Sequence, residues 1–93
     1  MSDNVETLTV NYFEGELQTV KELDKCILSK GAWATILFRY QDWDRSKNQY
    51  GPEKFTIRRY QKRNGEYKLN SKFNISSRDQ AQNIIAALQK WLA

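Results

Sequence analysis

Ninety-three residues carrying a net charge of +4, no histidine and one cysteine set the first bounds. That length is one domain, residues 1–93, with a core small enough to gain from association with a second copy. The composition excludes an imidazole base, a Ser-His-Asp constellation, a cysteine zinc cluster and an internal disulfide, so neither catalysis nor a metal is expected.

Residues 1–4 are a polar end expected to fray. Thr7 to Tyr12 alternates weakly and suggests a short strand, and Phe13 to Glu16 suggests a turn. Leu17, Val20 and Leu23 fit a short helix or an irregular strand running into Ile27-Leu28, and periodicity does not separate the two. Cys26 is expected as a small buried hydrophobe, since free cysteine packs as one and no histidine stands ready to activate it. Ser29-Lys30-Gly31 predicts a turn, and Trp33 to Tyr40 predicts a strand from its aromatic and β-branched content. Gln41 to Pro52 is polar, ends in Gly51-Pro52, and predicts a loop in which Asp42 and Asp44 flank Trp43 as solvated acids.

Phe55 to Gln61 alternates, Asn64-Gly65 is a hairpin-turn signal, and Tyr67 to Ile75 alternates again. A helix follows. Ala81, Ile84, Ile85, Leu88, Trp91 and Leu92 fall on one face, and Ser77 with Gln80 forms a capping-box pattern. Asp79 in the first turn and Lys90 in the last suit the helix dipole.

Charge is divided along the chain. Residues 1–44 hold four Lys/Arg against eight Asp/Glu, a balance of −4, and residues 45–93 hold eleven against three, a balance of +8. A basic half of this kind suggests a surface for a polyanion. Strict alternation sorts the strand side chains into two sets. Ala34, Ile36, Phe38 and Tyr40, with Phe55, Ile57, Tyr67, Leu69, Phe73 and Ile75, form an apolar set that the C-terminal helix is expected to cover. The other set places Trp33, Arg39, Arg58, Tyr60, Lys68 and Lys72 on an open face, with Arg59 an exception that falls among the apolar residues. Cations that meet phosphates beside aromatics that stack bases favour an unpaired strand over a duplex.

Several of these residues share the order and spacing of a known family. Ile57-Arg58-Arg59-Tyr60, Gly65-Glu66-Tyr67-Lys68, Lys72, and Ile75 before a helix resemble the core of the transcriptional coactivator positive cofactor 4. Lys30-Gly31-Ala32-Trp33 with Phe38-Arg39 resembles the preceding strand of its bacterial members. The resemblance implies an α+β fold: a curved four-stranded antiparallel sheet followed by a C-terminal helix, dimeric. It divides the chain into an acidic N-terminal extension, 1–25, and a sheet-plus-helix nucleic-acid-binding core, 26–92.

It further implies single-stranded DNA binding with little sequence preference and no cofactor. Lys30, Trp33, Arg39, Trp43, Arg58, Tyr60, Lys68 and Lys72 would contact the strand. Ile84, Ile85, Leu88, Trp91 and Leu92 would form the homodimer interface. Gln61 stands where the family often has an aromatic, which shifts stacking to Tyr60, Trp33 or Trp43. The 41–52 loop is longer than the family's hairpin. Single-stranded RNA, or a protein partner recognised by exposed aromatics, stays open as the ligand. No apolar run reaches membrane-spanning length and no signal peptide is visible. The expectation is a cytoplasmic protein, associated with the nucleoid if it binds DNA there.

Overall fold

In the computed structural model, which describes residues 4–93, the chain is α+β: a curled antiparallel sheet followed by one helix. The strands are β1 (Tyr12–Glu14), β2 (Leu17–Ser29), β3 (Trp33–Asp44), β4 (Gln49–Tyr50), β5 (Lys54–Arg63) and β6 (Glu66–Ile75), and the helix is α1 (Arg78–Leu92). The sheet runs β1-β2-β3-β5-β6, with β4 paired to the far end of β3. It therefore exceeds the four strands expected, because the segment before residue 26 supplies β1 and most of β2. Residues 1–3, expected to fray, lie outside the described residues. Asn4 instead caps a 3-10 turn at Val5–Thr7, its Oδ1 accepting from Glu6 N at 2.9 Å.

Two bulges explain why periodicity left residues 17–29 undecided. The β2–β3 register shifts between Glu22 and Asp24 and again between Ile27 and Ser29, and each shift breaks the alternation. Cys26 pairs with Leu37 and is exposed, not buried as expected. The expected loop 41–52 is a hairpin instead. β3 runs on to Asp44, whose Oδ1 accepts from Ser46 N, Ser46 Oγ and Lys47 N at 2.9, 2.7 and 3.2 Å, turning the chain into β4. The expected strand at residues 7–12 is replaced by the 3-10 turn and an extended stretch that joins the sheet only at Tyr12. The β5–β6 turn forms as the sequence indicates, with Asn64 and Gly65 both left-handed at φ 52° and 78°.

Both faces of the sheet carry apolar residues, and different segments lie over them. On one, Ala34, Ile36 and Phe38 pair with Tyr60, Arg58 and Thr56. This face is covered by the N-terminal segment: Val5, Leu8 and Val10 close a buried core with Ala34, Ile36, Phe38, Tyr60 and Tyr67. Lys25 fastens that strap, its Nζ donating to the carbonyls of Val5, Glu6 and Leu8 at 3.1, 2.7 and 2.8 Å. All three ammonium donors are thereby used. The cover over Ile36 and Phe38 is thus the strap, not the helix.

α1 lies on the opposite side. Its Ser77 cap accepts from Gln80 N at 3.0 Å, and Gln80 Oε1 accepts from Ser76 N at 2.6 Å, one residue beyond the Ser77 N of the reciprocal box expected. Leu28, Leu37, Phe55, Ile57 and Ile75 face Ala81, Ile84, Ile85 and Leu88 across an open apolar groove of about 560 Å³. No residue of α1 is buried, and Trp91 and Leu92 are 74% and 81% exposed. No helix among the described residues is long and apolar enough to cross a membrane.

Candidate nucleic-acid interface

A third bulge decides which cations share a surface. The β5–β6 register is regular from Phe55↔Ile75 to Arg59↔Ser71, then shifts so that Tyr60 pairs with Leu69 and Gln61 with Lys68. Alternation on β6 is inverted beyond Asn70. Tyr67 and Leu69 turn to the strap face, while Phe73 and Ile75 stay on the helix face. Lys68 joins the helix face through Gln61 and Trp33, whereas Lys72 pairs with Arg58 on the strap face.

The eight candidate residues are therefore divided. Trp33, Arg39, Trp43 and Lys68 lie on the helix face, and Arg58, Tyr60 and Lys72 on the strap face. Lys30 is exposed in the β2–β3 turn. Tyr60 is only 5% exposed, in the core beneath the strap, and offers no ring face for stacking. Burial also raises its phenol pKa, an effect partly offset by Arg58. The Nε of Arg58 is buried without a partner among the described residues.

Arg39 is committed to carboxylates, with Glu53 at 3.0 Å and Asp24 at 3.9 Å. Trp43 packs edge-on against Tyr50, ring centroids 5.0 Å apart, and Lys21 sits over the Tyr50 ring at 5.3 Å. Arg45 pairs with Glu14 at 3.1 Å and Lys54 with Asp42 at 2.9 Å. The β3–β4 end of the sheet thus largely neutralises its own charge.

The opposite end does not. Among the described residues, none of the four ion pairs uses a cation beyond Lys54. Arg59, expected among the apolar residues, lies on the helix face with its guanidinium 4.1 Å from the Trp33 ring centroid. Lys68 is one strand beyond Gln61 in the Trp33 row. Arg63 donates from Nε and Nη2 to Gln61 Oε1 at 3.1 and 3.0 Å. Trp33, Arg59, Arg63 and Lys68 so form a basic and aromatic patch in which Glu66, opposite Arg63 in the ladder, is the acid. Arg59 and Arg63 were missed from sequence. The parity of Arg59 is legible in the strand pattern, but that pattern alone predicts a face covered by the helix.

Compared with family models, curated proteins and solved structures, the chain shows no match to any of them.

Proposed function

We propose that the protein binds single-stranded nucleic acid, DNA being the first ligand to test, through the Trp33 end of its helix face, and that it has no catalytic role. The observation that carries this reading is the Arg59 guanidinium over the Trp33 ring, on the face that also carries Arg63 and Lys68, with no carboxylate among the described residues ion-paired to any of the three cations. A stacked guanidinium keeps its outer plane free for a base and its N–H edge free for phosphate. Lys68 stands two strands from Trp33 in the same row, roughly 10 Å away, and Arg63 stands four residues along β5 from Arg59, roughly 13 Å away, so both are within reach of a strand that passes over the platform. The ligand class is the one the positive cofactor 4 resemblance implies, while the contacts move from Arg58, Tyr60 and Lys72 to Trp33, Arg59, Arg63 and Lys68.

A second copy completes the unit in this proposal. The groove between α1 and the sheet, together with exposed Leu88, Trp91 and Leu92, leaves apolar surface that a two-fold-related copy would cover with its own equivalent surface.

Fluorescence anisotropy with a labelled single strand and a duplex of equal length tests the binding. The single strand should bind more tightly at equal salt, and Trp33→Ala should remove most of the difference. Equal affinity for the two forms, or a Trp33→Ala variant that folds and binds unchanged, would overturn the assignment.

A further inference from the structure

Beside the Trp33–Arg59 stack lies a cavity of about 270 Å³ lined by Gln61, Arg63, Lys68, Leu69 and Asn70. Its polar chemistry is one-sided. Arginine has only donors, so the Gln61 atom that meets Arg63 Nε and Nη2 must be the amide oxygen. With that oxygen engaged by Arg63, the polar group Gln61 has left to offer at the cavity wall is its amide N–H₂. Lys68 adds an ammonium and Arg63 its remaining guanidinium N–H groups, all donors. Asn70, left unpaired in the β5–β6 ladder by the bulge, contributes an amide that donates as readily as it accepts.

We propose that this cavity reads the edge of the stacked base and selects guanine. The inference rests on the single-strand reading above and names the substrate within it. A base seated on the Arg59 plane would turn its edge toward Gln61 and Lys68, the next two strands in the Trp33 row. Guanine offers two neighbouring acceptors there, N7 and O6, the pair that basic side chains bind most often. Adenine sets an N6 amine beside N7, so the N–H groups of Gln61, Lys68 and Arg63 would meet a donor, and only the Asn70 amide oxygen is left to accept from it. Thymine offers O4 next to an N–H. Cytosine has acceptors at N3 and O2, but its N4 amine adjoins them and its smaller ring covers less of the platform.

The test uses the full chain and thymidine pentamers whose central base is guanine, adenine, cytosine or 7-deazaguanine, each titrated by anisotropy at one salt concentration. The guanine pentamer should bind at least about fivefold more tightly than the adenine and cytosine pentamers, and loss of N7 should remove most of that gain. Gln61→Ala should level the affinities for the four central bases. Equal affinity for every central base, a preference for cytosine, or indifference to N7 would overturn the guanine assignment and leave single-strand binding standing. Failure to bind any pentamer or any longer strand would overturn both.

Discussion

Arg59 lies over Trp33 although the two are not opposite each other in the ladder. Trp33 pairs with Gln61 and Arg59 with Thr35, so the 4.1 Å contact is diagonal, across one strand and two residues along it. Diagonal neighbours in a sheet are within reach of long and aromatic side chains. The stack itself contributes only about 0.5–1 kcal/mol at an exposed site. Its larger effect is to hold the flat guanidinium over the Trp33 ring, at a fixed place on the helix face.

Replacing Arg59 by Lys should separate platform from charge. The ammonium keeps the charge and loses the plane. Single-strand affinity should fall by about fivefold or more, while the slope of log affinity against log salt stays nearly constant. Arg59→Ala should lower both, the slope by about 0.7 for one lost phosphate contact. A salt series on the three proteins checks this.

Lys68 and Lys72 are four residues apart and face opposite ways because of the bulge at Asn70. Lys68→Ala should reduce single-strand affinity and the salt slope. Lys72→Ala, on the strap face, should leave affinity within about twofold. The same titration decides it, and a Lys72 effect matching that of Lys68 would place the strand on the other face.

Lys25 should be a stability residue. Its ammonium bonds three strap carbonyls, and hydrogen bonds to charged groups contribute about 1.5–3 kcal/mol each when buried. The site is partly solvated, so Lys25→Met should cost about 2–4 kcal/mol overall. Urea denaturation should show a lower midpoint at similar slope.

Leu88 is 47% exposed in the single chain, on the rim of the α1 groove. Leu88→Asp should therefore weaken self-association at least tenfold with little effect on the fold of each copy. Light scattering at tens of micromolar, with circular dichroism to check helix content, reads the two effects separately. An unchanged mass would remove the groove from the assembly.

Stability should decline at alkaline pH. Burial raises the Tyr60 phenol above its ordinary 10.0, so the folded state holds that proton more tightly than the unfolded chain. The contribution is complete below about pH 10 and is lost as pH rises from there through the folded value. Tyr40, raised by burial and by Asp42, and Lys54, raised by its bond to Asp42, act in the same sense. Tyr60→Phe should make the alkaline decline of unfolding free energy shallower, measured by urea titrations between pH 8 and 11.

The sequence by itself determined the elements whose signals are local. Trp33 to Tyr40 is a strand, Asn64-Gly65 turns β5 into β6, and Ser77 starts a helix with Asp79 and Lys90 at the expected ends. Each depends on side-chain periodicity or on backbone angles within a few residues. Tertiary structure decided everything that depended on register. A single extra residue inverts a strand's alternation, so bulges in β2 and β6 sent Cys26 outward and divided Lys68 from Lys72. It also decided what covers each face. Val5, Leu8 and Val10 have no strong pattern of their own, yet with Lys25 bonded to the carbonyls of Val5, Glu6 and Leu8 they bury Tyr60. Which side of a sheet stays open is a competition among all segments that can reach it, and no stretch of one strand contains the outcome.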